Sequence, residues 1–498
     1  MAAPPIRQQI ERLLDENPGR TVPVIVQAKE DDRATRATAS AAASALLERR
    51  LLVRPAEVTG DLSRVVRAGK GRRPNRTPSV AAAVAGTAPT SSSRATAAAA
   101  LRPLLGTDAV RRALARTGED AAASAVTPLY AARSVAATLS RDELAALRDD
   151  PGAVAAVHPN RRLTVPRVIE LDALPAAAAD VRASAWGIER IGALAAWGAY
   201  GIRGKGVKVG VLDTGVDAEH PDLKGKVANW AEFDIDGRRV TGSAPHDTDR
   251  HGTHVCGTIA GGNASGRWIG VAPDARLAVG LVLDGERGGS DAQALAGIDW
   301  ALDRNVDVIS MSLGALVIEP ETPGTYTRAI LECFLRGVPV VAAIGNEGDG
   351  TGGSPGSDLF ALSVGATDTG DVVAGFSSGR TQVVTESTVI RPDLLPLPYP
   401  KPDISAPGVA VESSVPGGGW AILSGTSMAT PHASGAVALL LSATGGLAAV
   451  DERDRAGIVV DLMVGAVQER GESGQDHRYG FGRIDVLRAI GIAKEQGL

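Results

Sequence analysis

The second half of the chain alternates short apolar runs with longer segments that have helical periodicity. The runs VKVGVLD (207–213), VDVISMSL (306–313) and VPVVAAIGN (338–346) are apolar over most of their length. Runs of this kind are typical of strands in a parallel sheet that is buried on both faces. Segments 291–305 and 325–337 predict crossover helices between them. We therefore predict an α/β fold with a doubly wound parallel sheet, whose functional site lies at the carboxyl ends of the strands.

The first part of the chain has a different pattern, typical of a smaller α+β module. TVPVIVQAK (21–29) predicts a strand. Residues 132–165 predict a strand, a helix capped by Ser140 with Glu143 at the capping-box position, and a last strand. The stretch between them, which includes 81–100, has too few large apolar side chains to fix itself in a core.

These patterns divide the chain into three parts. We predict an α+β module at 1–165 with a low-complexity insertion at about 45–125, a linker at 166–182, and the α/β domain at 183–498. The first residues lack the apolar core of a signal peptide. This predicts a cytoplasmic protein, or a secreted one if an upstream segment is missing from this sequence.

Composition narrows the classes of partner. The 498 residues carry a formal net charge of −5, with both signs mixed along the chain, which argues against a nucleic-acid partner. No stretch is long and apolar enough to predict a membrane span. Two cysteines are too few for a disulfide framework. Cys256 is either a thiol close to a reactive histidine or a small buried apolar residue.

Three short motifs place reactive side chains beside glycines. Asp213 ends an apolar run in VLDTGVD, His251 opens HGTHVCG, and Ser427 precedes an apolar helix in SGTSMATPH. Each motif alone has an ordinary interpretation: a strand-end turn, a histidine pair for a metal, or a turn serine outside the GxSxG pattern. We interpret the second histidine of HGTHVCG, His254, and the histidine that ends SGTSMATPH, His432, as structural.

Together the three side chains suit nucleophilic catalysis. A serine hydroxyl is a weak nucleophile at neutral pH, so Ser427 needs a base, and an imidazole such as that of His251 has a pKa near the operating pH. Asp213 would fix the imidazole tautomer and stabilise the imidazolium. At a helix start, the backbone N–H of Ser427 would also lie beside a developing oxyanion.

In their order along the chain, Asp, His and Ser, the three motifs resemble those of subtilisin-like serine proteases, the subtilases. The resemblance implies a serine endopeptidase that hydrolyses protein and peptide substrates through an acyl-enzyme intermediate. A fourth motif, 338–348, has Asn346 on a turn after an apolar strand. A turn asparagine is common there, but in this family the asparagine donates its amide to the oxyanion.

The same resemblance implies further binding residues. SLGA, with Ser312, Leu313 and Gly314, would form one wall of the specificity pocket, and residues 342–345 would form the other. Gly353 would lie at the back of the pocket. The pair Gly288 and Gly289 would form an edge that binds extended substrate. Small residues on all sides imply a pocket for apolar side chains, and backbone pairing implies broad specificity. The alternative for each glycine is a loop turn.

The resemblance also makes the N-terminal module an inhibitor-type prosegment, whose tail lies in the active site and which the enzyme removes from itself. The alternative is a permanent accessory domain. The chemistry requires no cofactor, and Asp222 in HPDL matches a calcium ligand of the family, although Ala264 replaces a second oxygen donor. Residues 381–400 are an apparent insertion, either near the cleft or a surface loop.

Two rival functions remain open from the sequence. One is a non-catalytic binding protein on the same scaffold, which requires a broken triad, and no triad member is replaced. The other is a regulator whose N-terminal region occludes the site permanently. Shortening of the chain during incubation would separate these possibilities.

Overall fold

A computed structural model of the chain describes most of the sequence, in segments separated by gaps. The described residues are 6–19, 21–29, 33–52, 94–116, 126–149, 151–165, 167–171, 183–285, 287–321, 324–447 and 449–498.

The helices and strands follow each other as an antiparallel module and then an alternating α/β domain. The helices are α1 Ile6–Glu16, α2 Arg33–Leu52, α3 Arg94–Leu105, α4 Asp108–Arg116, α5 Arg141–Asp149, α6 Trp186–Arg190, α7 Ala193–Tyr200, α8 His251–Ala260, α9 Asp291–Asp303, α10 Thr327–Leu335, α11 Thr426–Ala443, α12 Glu452–Gly465 and α13 Val486–Glu495. The strands are β1 Thr21–Ala28, β2 Val126–Leu129, β3 Ser134–Ser140, β4 Val154–Pro159, β5 Arg162–Leu163, β6 Ile169–Leu171, β7 Lys208–Asp213, β8 Val227–Phe233, β9 Arg239–Val240, β10 Arg276–Leu281, β11 Leu283–Asp284, β12 Gly288–Ser290, β13 Val308–Met311, β14 Ala315–Val317, β15 Val340–Ala343, β16 Gly352–Ser354, β17 Leu362–Thr367, β18 Arg380–Val384, β19 Leu397–Lys401, β20 Ile404–Pro407, β21 Val411–Val415 and β22 Gly419–Ser424.

An eight-stranded sheet forms the centre of the large domain, in the order β20-β17-β15-β13-β7-β10-β8-β9. All neighbours are parallel except β8 and β9. The chain places β8, β9 and β10 on one side of β7 and then crosses to add β13, β15, β17 and β20 on the other side. Such a change of direction is typical of a doubly wound sheet. The predicted fold class is confirmed.

Helices cover both faces of this sheet, which explains the near-continuous apolar runs. One core cluster joins one face to α8, α11, α12 and α13, and a second joins the other face to α9 and α10. The ends of β7, β13 and β15 therefore emerge from a packed layer, which fixes the residues that follow each strand. Within the described residues, no helix combines the length and apolar character needed to cross a lipid bilayer.

The N-terminal module is a four-stranded antiparallel sheet in the order β2-β3-β1-β4. Helices α1, α3, α4 and α5 share its apolar core. The capping box predicted for α5 is present, because the Ser140 amide donates to Glu143 Oε2 at 2.8 Å and the Glu143 amide donates to Ser140 Oγ at 3.2 Å.

The module docks on the large domain through its β2–β3 turn. The amides of Tyr130 and Ala131 both donate to the carboxylate of Asp299 on α9, each at 2.6 Å. Arg133 is buried 3.9 Å from Glu332 on α10. The predicted insertion at 381–400 is a hairpin of β18 and β19, and Gln9 of the module donates to Glu386 in its loop. The hairpin thus contacts the N-terminal module.

Two of the predicted segments contain regular secondary structure. Residues 94–100 belong to α3, which buries Ala97 and Leu101, so alanines pack there where the sequence suggested no core contact. The predicted linker contains the strand β6, which pairs with β22 through backbone hydrogen bonds. The rest of both segments, residues 53–93, 117–125, 166 and 172–182, lies outside the described residues.

Candidate active site

Asp213 and His251 meet at the carboxyl end of the central sheet. Asp213 is the last residue of β7 and His251 is the first residue of α8. His251 Nδ1 lies 2.7 Å from Asp213 Oδ1, and both side chains are fully buried. The amide of Thr214 also donates to Asp213 Oδ1, at 2.8 Å, which fixes the carboxylate.

The carboxylates around His251 raise its pKa. Burial alone lowers the pKa of His251, but the carboxylate of Asp213, together with those of Asp249 and Asp247, outweighs burial, so the pKa lies above its ordinary value. Asp249 accepts the His251 amide at 3.0 Å and so orients the first turn of α8. His251 Nε2, on the far side of the ring, has no hydrogen-bond partner among the described residues.

Ser427 lies in the first turn of α11, directly after β22. Its hydroxyl donates to the carbonyl oxygen of Ser312 at 3.2 Å, and the Ser312 hydroxyl donates to the Ser427 carbonyl at 3.0 Å. The hydrogen bond from Ser427 to His251 is therefore not formed in this state.

Asn346 follows β15, and its side-chain amide is held in a fixed orientation. Its Oδ1 accepts from the amide and the hydroxyl of Thr426, both at 2.8 Å. Its Nδ2 therefore points away from Thr426 and donates to the carbonyl oxygen of Arg167 at 3.1 Å. Gly425 leaves room for this contact, because a Cβ there would lie 3.1 Å from Asn346 Nδ2.

A stretch of the chain itself, described at residues 161–165 and 167–171, covers these side chains; we call these residues the covering segment. Its β5 pairs antiparallel with β12, and its β6 pairs antiparallel with β22. Between them, Thr164 bridges to Gly314. The segment thus runs extended from one edge of the cleft to the other and places the Arg167 carbonyl at the Asn346 amide.

The residues predicted for substrate binding line the same cleft. Gly289 pairs with Leu163, and Gly288 lies beside it in β12 with φ +71°. Ser312, Leu313 and Gly314 follow β13. Gly353 lies in β16, which pairs with β14. Gly289 and Gly314 therefore pair directly with the covering segment, whose Leu163 side chain is fully buried.

The remaining histidines of the motifs are structural in their contacts. His254 Nε2 faces the carbonyl oxygens of Val411 and Ala421, and burial lowers the pKa of His254 to about 3. A neutral ring that faces carbonyls with Nε2 does not form a metal pair with His251. Burial also lowers the pKa of His432 to about 4, and its Nδ1 contacts the Met428 carbonyl at 2.8 Å.

Both cysteines are small buried residues, which was one of the two interpretations of Cys256 from the sequence. Cys256 and Cys333 are buried and not joined to each other. Burial raises the pKa of each thiol well above its ordinary value. Neither is therefore a thiolate at neutral pH.

The residues around Asp222 do not fit a calcium ion. The amide of Ala264 donates to Asp222 Oδ1 at 2.6 Å, and the indole of Trp420 donates to Oδ2 at 2.8 Å. Both carboxylate oxygens are occupied by N–H groups, whereas Ca²⁺ needs six to eight oxygen ligands. No group of three or more metal-ligating side chains is found within the described residues.

Sequence reasoning found one part of this site incompletely and missed another. The resemblance predicts that the tail of the N-terminal module lies in the active site, but residues 167–171 fall in the predicted linker, although the alternation in RLTVPRVIEL is a signal for an extended chain. Thr426, which orients Asn346, gave no signal, since the contact joins residues 80 positions apart.

Comparison with known proteins gives a consistent result. A model of the Subtilase family (peptidase S8) matches residues 204–482. The chain is 39% identical over 259 residues to an intracellular serine protease of Paenibacillus polymyxa, covering 51% of this chain and 72% of that protein. It is 40% identical over 255 residues to Subtilisin Savinase of Lederbergia lenta, covering 51% of this chain and 83% of that protein. The chain therefore belongs to the subtilase family and is a serine endopeptidase that acts on proteins or peptides.

Proposed function

We propose that Asp213, His251 and Ser427 are the catalytic triad of this endopeptidase. The observation that carries the proposal is the buried pair of His251 Nδ1 with Asp213 Oδ1 at 2.7 Å, which leaves Nε2 available as the base. In the proposed mechanism the Ser427 hydroxyl turns from Ser312 toward His251, gives its proton to Nε2 and attacks the substrate carbonyl. Asp213 stabilises the resulting imidazolium.

The tetrahedral intermediate that forms next is stabilised by N–H groups that follow β15 and begin α11. The oxyanion of the tetrahedral intermediate accepts from Asn346 Nδ2 and from the Ser427 backbone amide. The contact from Asn346 to the Arg167 carbonyl supports this role, because a peptide carbonyl already lies at that amide. His251 then gives its proton to the leaving amine, and water hydrolyses the acyl-enzyme in a second round of the same chemistry.

Broad specificity with a preference for apolar side chains before the scissile bond follows from the cleft. The pairing of the covering segment with β12 and β22 uses backbone atoms, which accept many sequences. Small residues, Ser312, Gly314 and Gly353, surround the pocket.

We also propose that the N-terminal module is an inhibitory prosegment that the enzyme cleaves from itself. The covering segment supports this, since it fills both sides of the cleft as an extended peptide would. A tail held in cis has a high effective concentration, so modest affinity suffices for inhibition. We expect cleavage within 165–185, before Trp186. The contact of Asn346 with the Arg167 carbonyl favours the Arg167–Val168 bond. Arg167 does not match the apolar preference proposed for substrates, but a tail held in cis needs no favourable side chain at that position.

Incubation of the full-length protein tests both proposals. Mass spectrometry should find N-terminal shortening, and a fluorophosphonate should label Ser427, whereas Ser427→Ala should remain intact and unlabelled. Full activity in a chain that retains Met1 would indicate an accessory domain. An unlabelled, unshortened wild type would favour permanent occlusion or a non-catalytic protein.

A further inference from the structure

The amino-terminal end of α9 carries a buried carboxylate beside the cleft. Asp291 is fully buried and follows β12 directly. The guanidinium of Arg161, the first residue of the covering segment, fills the space in front of it. Arg161 Nε donates to Asp291 Oδ2 at 2.8 Å, and Arg161 Nη2 donates to Oδ1 at 3.2 Å. This two-point contact matches the planar fork of an arginine.

Two further side chains complete the pocket around the guanidinium. The Tyr326 hydroxyl, at the start of α10, donates to Asp291 Oδ1 at 2.9 Å. Ser354, at the end of β16, accepts from Arg161 Nη2 at 3.1 Å. Three elements of the large domain, α9, α10 and β16, therefore contribute to one small polar pocket.

The main chain of the occupant is held as well. The Arg161 amide donates to Asp291 Oδ2 at 3.2 Å, and the Asp291 amide donates to the Arg161 carbonyl at 3.1 Å. The next residue, Arg162, begins β5, which pairs with the cleft edge at β12. The pocket therefore continues the line along which an extended chain adds to that edge.

The charge of the pocket selects its occupant. Burial alone would lower the pKa of Arg161, but the carboxylate of Asp291 outweighs it and raises that pKa. Within the described part of the chain, Arg161 is the ion-pair partner of Asp291. When the covering segment leaves, the buried carboxylate of Asp291 loses its cationic partner. An unpaired buried charge costs free energy, so this carboxylate favours binding of another cation.

We propose that Asp291, Tyr326 and Ser354 form a distal substrate subsite, which selects an arginine several residues before the scissile bond. Arginine is favoured over lysine because the contact to Asp291 is two-pointed and a third N–H reaches Ser354. The subsite rests on the proposed peptidase function of the cleft. It adds side-chain selectivity to a cleft that otherwise pairs through backbone atoms.

Paired peptides test the subsite with the full-length protein after incubation. Two internally quenched peptides carry the sequence of residues 158–171 and differ only at position 161, where one has arginine and the other the neutral isostere citrulline. We expect kcat/KM to be about tenfold to a hundredfold higher for the arginine peptide, the size typical of hydrogen bonds between charged groups. A lysine peptide should fall between them.

Variants decide whether Asp291 is the cause. Asp291→Asn should bring the arginine-to-citrulline ratio close to one, and Ser354→Ala should lower it by about threefold, the value of one hydrogen bond. Asp284→Asn removes a carboxylate from the same cleft edge and should keep the ratio. A ratio near one in the wild type, or an unchanged ratio in Asp291→Asn, would overturn the subsite.

A second measurement does not depend on catalysis. In full-length Ser427→Ala, hydrogen exchange of residues 161–171 should become faster when Asp291→Asn is added, and slow exchange in both proteins would refute the pocket. If neither peptide is cleaved but exchange responds, the peptidase function fails while the arginine pocket stands.

Discussion

At the residue scale, the site depends on single atoms whose partners are set by neighbouring backbone. Asn346 illustrates this, because Thr426 occupies its Oδ1 and leaves only Nδ2 for a carbonyl in the cleft. The amide is thus oriented before any substrate arrives, which is the condition under which a donor stabilises an oxyanion without reorganisation.

Asn346→Leu removes this donor while keeping a similar volume. We expect kcat to fall by about 10²–10³-fold with little change in KM, because the bond strengthens mainly in the transition state. Steady-state kinetics on a peptide substrate measure both constants. Glu219→Gln, an exposed side chain whose ion-pair partner is Lys224, serves as the control and should keep kcat within about threefold. A raised KM with preserved kcat in Asn346→Leu would assign Asn346 to turn formation instead.

At the element scale, helix α6 packs closely against α11 at His432, the histidine that ends the SGTSMATPH motif. A Cβ on Gly187 of α6 would lie 2.1 Å from Nε2 of His432, whose ring is buried in α11. The ring cannot move aside easily, since Nδ1 is bound to the Met428 carbonyl. Nearby Gly198, on α7, is exposed and has nothing within 4 Å of such a Cβ.

The two glycines therefore predict opposite changes in stability. Gly187→Ala should lower the free energy of unfolding by about 1–3 kcal/mol through overpacking. Gly198→Ala should raise it by up to about 1 kcal/mol, because alanine favours the helix. Denaturant unfolding in the Ser427→Ala background, which prevents self-digestion, measures both. Equal midpoints for the two variants would contradict the packing argument.

At the scale of the whole molecule, the N-terminal module and the large domain share a core. Leu163 of the covering segment belongs to the same buried cluster as Leu313 of the cleft wall and Ala131 of the docking turn. The carboxylate of Asp299 adds two hydrogen bonds to that turn. We therefore expect access to Ser427 to depend on release of the covering segment.

Leu163→Asp should weaken this hold, because an unpaired carboxylate in an apolar cluster is costly. We expect full-length protein to react with a fluorophosphonate at least about tenfold faster at Ser427, in line with a loss of more than 1.4 kcal/mol. Thr164→Asp, on the exposed side of the same segment, should react like the wild type. Equal initial labelling rates for Leu163→Asp and wild type would mean that the segment does not limit access.

The chain by itself determined the class of the fold and pointed to the residues that we propose as the catalytic triad. Continuous apolar runs such as the one ending at Asp213 can be satisfied only by burial on both faces of a sheet, so local pattern is enough. Glycine-flanked motifs likewise mark Asp213, His251 and Ser427 without knowledge of their distances.

Only the tertiary structure decided what those residues contact. The pairing of β6 with β22, the orientation of Asn346 by Thr426 and the contact of Arg161 with Asp291 each join positions 80 or more apart in the chain. Backbone pairing and burial of a charge leave no periodic signal in sequence, because they depend on which surfaces the fold brings together. The surroundings of Asp222 had no sequence signal for the same reason, since its oxygens accept from the amide of Ala264 and from the indole of Trp420 in β22, both distant in the chain.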